Sequence, residues 1–288
     1  MSKAILARQP DNTIQLTITL GKDIIDKAYE KQLAEAAKKA KISGFRKGKA
    51  PKKLVEEKID KNQVYETVIR ELIPEAYLEA VKEHQLKPII NPKIELLKAK
   101  EGEDWQIRAT TCETPQIEIK DYQSEIKKNL AANKLWTPGK DNDKKDKEVG
   151  SSHEEKIQKV IETLLKMAQF SLPLILVEDE LNRSLASLID QANSLGMTIE
   201  QYTQSVGKTT TQIREEYRTR VENELRLLLI LNEIARREEV EPTDQEIDAL
   251  IKASGDQKLA QQLTNPLQKE YLRGILARRK TLEKLASL

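Results

Sequence analysis

The sequence is poor in the residues that most enzymes use for chemistry. Its 288 residues include one cysteine, Cys112, and two histidines, His84 and His153. A single cysteine excludes an internal disulfide and a metal site built from several cysteines. The two histidines lie far apart in sequence, which excludes a histidine-rich metal centre and argues against a histidine-based triad. We therefore predict no catalytic, metal-binding or cofactor-binding residues, and a binding protein rather than an enzyme.

Aromatic residues and long apolar runs are also scarce. Phe, Trp and Tyr make up 4% of the chain, whereas charged residues reach 33%, against a usual ~25%. No stretch approaches the ~18–20 consecutive apolar residues that a membrane span needs, and the apolar run at the N-terminus is too short for a secretion signal. We expect a cytoplasmic protein without a membrane partner, elongated and rich in well-solvated helices.

The first part of the chain mixes strands with helices. Residues 13–20 alternate between apolar and polar, which predicts a half-buried strand. Residues 93–98 and 104–112 predict a strand hairpin. Between them the pattern predicts helices at 23–41, 51–60 and 63–83, the last bent or broken at Pro74. This order predicts an α+β domain over residues 1–129, with an antiparallel sheet covered by long helices and an exit strand and short helix within 115–131.

A change of composition follows. Residues 137–152 contain one aliphatic residue in sixteen, with Pro, two Gly and eight charges. Such a segment cannot offset its ordering entropy by burial. We therefore predict a flexible linker at 130–152. From residue 153 to 288 the apolar positions follow the helical period, as in the stripe from Ile157 to Ala168, and predict an all-helical domain.

Residues 38–53 hold eight basic side chains and no acidic one, in a chain of net charge +2. Concentrated like charge costs self-repulsion, so the arrangement needs an explanation. Arg46 offers a planar fork for a carboxylate or phosphate, and Phe45 offers an apolar plug. Two interpretations fit: a loop that docks on an anionic surface, or a solvated helix end with Phe45 turned into the core.

The segment Gly44-Phe-Arg-Lys-Gly-Lys-Ala-Pro51 lies between two predicted helices and after a predicted strand. In this context it resembles the ribosome-docking loop of the trigger factor family, the bacterial nascent-chain chaperones. Residues 154–288 resemble the family's C-terminal domain more weakly, especially 172–180. The resemblance implies docking beside the exit tunnel of the large ribosomal subunit, on a ribosomal protein and rRNA. The residues implied are Gly44, Phe45, Arg46, Lys47, Gly48, Lys49 and Pro51.

The chain also departs from the family pattern. Members usually carry an FKBP-type prolyl isomerase domain of about a hundred residues between the two parts, where this chain has only 130–152. An aromatic-lined proline pocket cannot be built from Trp136 and polar residues. We therefore expect an ATP-independent chaperone for nascent or unfolded polypeptides, without isomerase activity, which hides its apolar patches off the ribosome by forming a homodimer.

Two other functions stay open at this point. The 38–53 segment also suits a nucleic-acid-binding protein, and an export-pathway holdase chaperone has a similar helical domain. Among the remaining candidates, we expect Cys112 to be a core residue and His84 a polar residue at a helix end. The consecutive acids Glu178, Asp179 and Glu180 point about 100° apart on a helix, so we expect them to face solvent and not to bind a metal.

Overall fold

A computed structural model describes residues 3–39, 61–131, 148–168, 170–253 and 265–288. The chain divides into two compact units. The sheet unit comprises residues 1–114 with 173–176, and the helical unit comprises 115–172 with 177–288.

The sheet unit contains four strands and two helices in its described ranges. They are β1 (Lys3–Arg8), β2 (Thr13–Leu20), α1 (Lys22–Lys39), α2 (Lys61–Glu83), β3 (Lys93–Lys98) and β4 (Trp105–Cys112). The strands form an antiparallel sheet in the order β1-β2-β4-β3. This arrangement confirms the predicted α+β class with an antiparallel sheet. The strand β1 is an addition, because sequence analysis found no strand before residue 13.

The core of the sheet unit lies on one face of the sheet. The alternation in β2 buries Ile14, Leu16, Ile18 and Leu20 completely, and β4 adds Trp105, Ile107 and Ala109. The apolar side of α2 covers them. It contributes Val68, Leu72, Ile73, Ala76, Tyr77 and Ala80. The opposite face of β2 carries Gln15, Thr17 and Thr19, which are half-buried.

Of the two outcomes expected at Pro74, a bend or a break, the break is wrong, because α2 runs without interruption from Lys61 to Glu83. A proline inside a helix costs about 3 kcal/mol, since it removes one hydrogen bond and crowds the preceding turn. Ile73 and Ala76, on either side of it, are buried in the core. Burial of this helix on the sheet offsets the cost of the proline.

The helical unit is built from seven described helices. They are α3 (Tyr122–Ala131), α4 (Glu148–Met167), α5 (Leu174–Ser194), α6 (Ile199–Ser205), α7 (Thr210–Arg237), α8 (Asp244–Ala253) and α9 (Pro266–Ala286). This arrangement confirms the predicted all-helical C-terminal part. The largest buried side chains are Ile126, Leu164, Leu181, Ile230, Ile234, Ile247 and Leu285. They come from six of the seven helices, so nearly every helix of this unit buries part of its apolar stripe.

Three helix starts in this unit follow one chemical pattern. Thr243 and Glu246 form a capping box at the start of α8, with the Thr243 N–H donating to the Glu246 carboxylate at 2.8 Å. Two further boxes start α6 and α7, where Thr198 pairs with Gln201 and Thr209 pairs with Gln212. In each box the side chains satisfy N–H groups that the first helical turn leaves free.

The structure differs from the sequence-based expectations in two places, a predicted strand and the start of a helix. Residues 115–121 form no strand, and α4 begins at Glu148, inside the predicted linker 130–152. Once the apolar stripe from Ile157 has formed a helix, each added residue costs little, so the helix extends beyond the stripe. Residues 132–147 and the predicted helix at 51–60 lie outside the described residues.

None of the helices in the described ranges combines the length and apolar character that crossing a bilayer requires.

Candidate functional site

The predicted docking segment lies between the first two helices. α1 ends at Lys39 and α2 begins at Lys61, and residues 40–60 are not among those described. All seven residues assigned to the site belong to this stretch: Gly44, Phe45, Arg46, Lys47, Gly48, Lys49 and Pro51. Their roles stay predictions. The described residues define the frame that holds both ends of the segment.

Both helices begin at the same end of the sheet, beside the β3–β4 turn. The Lys22 N–H at the start of α1 donates to the Asp104 carboxylate at 2.8 Å. The Lys61 ammonium at the start of α2 lies 3.6 Å from the Glu101 carboxylate on the same turn. Since α1 has 18 residues, at 1.5 Å each it is about 27 Å long. Lys61, the first residue of α2, therefore lies near the start of α1, and Lys39 lies at the far end of that helix.

Aromatic and polar contacts lock the two helices against each other. The Tyr29 ring of α1 lies 4.6 Å from the Tyr65 ring of α2, centroid to centroid, and Tyr65 lies 5.8 Å from the Trp105 ring of the sheet. Further along, the Glu71 carboxylate accepts hydrogen bonds from Lys31 and Gln32. These bonds lower the pKa of Glu71 below its ordinary value. The two helices that flank the basic segment are thus held together at two places, by ring packing and by the hydrogen bonds of Glu71.

The helical unit exposes several apolar side chains, two of them directly after the end of a helix. Leu195 is 66% exposed and Val206 is 43% exposed. Each precedes a glycine with positive φ, Gly196 and Gly207, which ends the helix in a left-handed turn. The exposed large apolar side chains of this unit are Ile189, Leu195, Val206, Leu228, Tyr271 and Leu288. Side chains of this kind can bind apolar segments of another chain.

The three consecutive acids on α5 do not form a common site. Glu178 accepts hydrogen bonds from Arg214, at 3.0 Å, and from Arg218, both on α7. Asp179 instead pairs with Arg183 one turn further along α5, at 2.7 Å. Glu180 lies 3.9 Å from the same Arg183. The second and third acids therefore share a partner, whereas Glu178 points elsewhere, ties two helices together and is not simply solvated.

A polar cluster that sequence analysis missed joins the start of the helical unit to the ends of α7 and α9. The Arg237 guanidinium donates to the carbonyls of Ile117 and Ile119, each at 3.0 Å. It is oriented by Glu233, one turn earlier on α7, whose carboxylate accepts from Arg237 Nε at 2.6 Å. The sequence does not reveal this contact, because the accepting carbonyls lie more than a hundred residues away.

Glu238 forms the second half of this cluster. Its carboxylate pairs with Lys284 of α9 and accepts hydrogen bonds from the Tyr122 hydroxyl and the Gln123 amide. Burial alone would raise the pKa of Glu238, but the bonds from Lys284 and Tyr122 hold it below its ordinary value. Burial, together with the adjacent Glu238 carboxylate, raises the pKa of Tyr122 to about 12.

The residues with catalytic potential are dispersed. Cys112 is fully buried at the end of β4, which confirms the prediction that it is a core residue. His84 follows the last residue of α2 and is half-buried. Across the described ranges, no group of three or more His, Cys, Asp or Glu side chains is placed to hold a metal ion.

Comparison with known proteins identifies the family. The family model described as bacterial trigger factor protein matches residues 1–134, and the model for the trigger factor C-terminus matches residues 142–287. The chain belongs to the trigger factor family. The two matches leave residues 135–141 between them, where sequence analysis expected the linker.

Trigger factors of three bacteria illustrate the relationship. The chain is 33% identical to that of Natranaerobius thermophilus over 112 residues, which are 39% of this chain and 25% of the relative. It is 34% identical to that of Moorella thermoacetica over 120 residues, 42% of this chain and 27% of the relative. It is 28% identical to that of Limosilactobacillus reuteri over 151 residues, 52% and 32% of the two chains. The matches span only a quarter to a third of these relatives.

A solved structure of the trigger factor chaperone, described for promiscuous substrate recognition in folding and assembly, matches the fold. The TM-score is 0.64 with 14% sequence identity, over 99% of both chains. At this identity the similarity establishes a shared fold only. The predicted trigger factor fold is thereby confirmed.

Proposed function

We propose that this protein docks on the large ribosomal subunit beside the exit tunnel and shields nascent or unfolded polypeptides without using ATP. Membership of the trigger factor family supports this assignment. The single observation that carries it is the segment Gly44–Pro51, in which Phe45, Arg46 and Lys47 stand between two glycines. This segment lies within residues 38–53, which hold eight basic residues and no acid.

Docking is supported by the chemistry of this segment. rRNA and the acidic surfaces of ribosomal proteins attract a local charge of this size over a long range and raise the encounter rate. Arg46 can grip a phosphate or carboxylate through two hydrogen bonds, and Phe45 can fill an apolar pocket. The segment joins α1 to α2, which are packed against each other. Docking of the segment would therefore fix the position of the whole sheet unit on the ribosome.

Chaperone activity is assigned to the apolar side chains that the helical unit exposes, such as Leu195, Leu228 and Tyr271. They belong to different elements and can contact extended chains of varied sequence. The same side chains favour a homodimer off the ribosome, because association would cover them. We assign docking to residues 1–129 and chaperone activity to residues 153–288, and place the protein in the cytoplasm.

Prolyl isomerase activity is not part of the proposal. The two family matches leave only residues 135–141 between them, far fewer than the isomerase domain that other members carry there. In a refolding assay limited by proline isomerisation, we expect the refolding rate to be unchanged by the protein. Acceleration that saturates with substrate would contradict this part of the proposal.

Ribosome pelleting tests the docking. The triple variant Phe45→Ala, Arg46→Ala, Lys47→Ala should lose co-sedimentation with ribosomes while still suppressing the aggregation of an unfolded test protein. Lys52→Ala with Lys53→Ala is the matched control, because it removes two cations of the same segment outside the Phe-Arg-Lys core. Equal losses in both variants would show bulk charge attraction and favour the nucleic-acid-binding alternative. Unchanged pelleting of the triple variant would reject the docking role.

A further inference from the structure

The two edges of the sheet differ in regularity. β1 and β3 are the outer strands. The register of β3 shifts between Leu96 and Lys98, and Lys98 is held by Glu103 at 2.6 Å. An irregularity of this kind interrupts the row of backbone groups and disfavours the addition of another strand. β1, in contrast, pairs with β2 residue by residue along its whole length, from Lys3 to Arg8.

The register shows which backbone groups of β1 face away from the sheet. The Gln9 N–H donates to the Thr13 carbonyl at 2.8 Å, beside the last residue pair of the two strands. Because hydrogen-bonded pairs alternate in an antiparallel ladder, Ala7 and its alternate neighbours bond to β2. The residues between them direct their N–H and C=O groups to the free edge: Ala4, Leu6 and Arg8. No described strand lies on that side of β1.

The side chains around this edge favour an added strand. Ile5 is 69% exposed on the face opposite the core, so a neighbouring strand would bury it. Lys3 and Arg8 mark the two ends of β1. Arg8 is paired with Glu113 at 2.8 Å, whereas no acidic side chain in the described ranges lies within ion-pair distance of Lys3. The edge therefore combines a regular row of backbone groups with an apolar centre and, at Lys3, a cation that has no ion-pair partner in the described ranges.

We propose that the β1 edge binds an extended segment of an unfolded polypeptide as an additional strand, with preference for segments that carry acidic residues beside apolar ones. The inference rests on the proposed chaperone function and names a site for it in the sheet unit. Backbone hydrogen bonds do not depend on the sequence of the partner, so the edge suits clients of many sequences. A second copy of β1 is disfavoured, because β1 itself carries no acidic residue that could pair with Lys3.

Amide hydrogen exchange tests the inference on the intact protein. The probe is reduced, carboxymethylated α-lactalbumin, which stays unfolded and is acidic. At saturating probe, exchange at the edge amides of Ala4, Leu6 and Arg8 should slow by about tenfold, because each gains a hydrogen-bonded partner. The amides of Ile5 and Ala7 already bond to β2 and should change less.

A pair of variants tests the backbone directly. Ala4→Pro removes one outward N–H and no bond to β2, and proline is tolerated on an edge strand. It should weaken probe binding by about fivefold, the effect of one hydrogen bond. Ala4→Ser keeps the N–H and should bind as the native protein does. Circular dichroism of both variants checks that the sheet unit is folded, and the exchange measurement needs no variant.

The outcomes separate the site from the function. Probe binding that leaves the edge amides unprotected would overturn the β1 inference and leave the chaperone proposal standing. Absence of any probe binding would overturn both. Protection that appears without probe, and grows as the protein self-associates, would overturn the inference in favour of pairing between copies.

Discussion

The sheet unit and the helical unit achieve their folds by different means. In the sheet unit, the alternating pattern of β2 and β4 builds one apolar face that α2 covers, and ion pairs such as Arg8–Glu113 lie at its margin. In the helical unit, single polar side chains join elements that are remote in sequence, as Arg237 joins α7 to residues 117 and 119. Apolar packing is insensitive to pH, whereas these polar links respond to substitution and titration of single groups.

The largest expected effect comes from breaking the apolar face. Ile18 is fully buried at the centre of β2, and Ile18→Ala should destabilise the sheet unit by about 3 kcal/mol, from lost burial and the remaining cavity. Thr17→Ala, on the opposite face, is the matched control and should cost far less. Unfolding in denaturant, followed by hydrogen exchange in each unit, measures both. Equal costs for the two variants would contradict the one-sided core.

The next effect comes from breaking the polar link in the helical unit. Arg237→Gln removes two hydrogen bonds from a charged donor to carbonyls and should cost about 2 kcal/mol. Arg236→Gln is the matched control, because Arg236 also pairs with Glu233 but is not bonded to either of these carbonyls. Thermal unfolding of both variants measures the difference. Equal destabilisation would mean that Arg237 stabilises the protein through its ion pair with Glu233 and not through the carbonyl contacts.

Tyr122→Phe should have a smaller effect at neutral pH, about 1 kcal/mol for the lost hydrogen bond to Glu238. The pKa of Tyr122 is raised from 10.0 to about 12, so the folded state favours the neutral phenol. Its stabilisation is complete below pH 10 and is lost as the pH rises from 10 towards 12. Chemical unfolding across this range should show a steeper decline for the native protein than for the variant. Parallel declines would contradict the assignment.

The smallest effect is expected at the α8 capping box. The bond from Lys280 and the bonds within the box lower the pKa of Glu246 from 4.5 to about 2. The stabilisation by its carboxylate is complete above pH 4.5 and is lost as the pH falls towards 2. Glu246→Gln should flatten this part of the stability profile, whereas Asp248→Asn on the same helix should leave it intact. Identical acid profiles for native protein and Glu246→Gln would contradict the prediction.

Elements with a clear period could be predicted from the sequence. The alternation of Ile14, Leu16, Ile18 and Leu20 gave β2, and helical stripes gave the helices of the second unit. β1 was missed because Ala4, Ile5, Leu6 and Ala7 form a continuous apolar run without alternation. It is a strand because its neighbour β2 offers a complete row of hydrogen bonds, which local pattern does not reveal.

Long-range contacts explain what else the sequence did not disclose. Nothing near Pro74 indicates that burial on the sheet would keep α2 continuous, and nothing near Arg237 indicates its carbonyl partners. The pattern Thr-x-x-Gln at Thr198 and Thr209 is a sequence signal for a capping box and could have placed the starts of α6 and α7. The docking residues stay a prediction, and it could be made from the sequence because their chemistry is local: Phe45 and Arg46 stand out by composition and glycine spacing alone.

The central claim is that Phe45 reaches the ribosome from the segment between α1 and α2. Photo-cross-linking tests it most directly, with benzoylphenylalanine in place of Phe45 and irradiation in the presence of ribosomes. The account predicts cross-links to a protein or rRNA of the large subunit, abolished when Arg46 and Lys47 are also replaced by alanine. Cross-links formed only within the chain, at buried residues of the sheet unit, would show that position 45 points inward and would contradict the account.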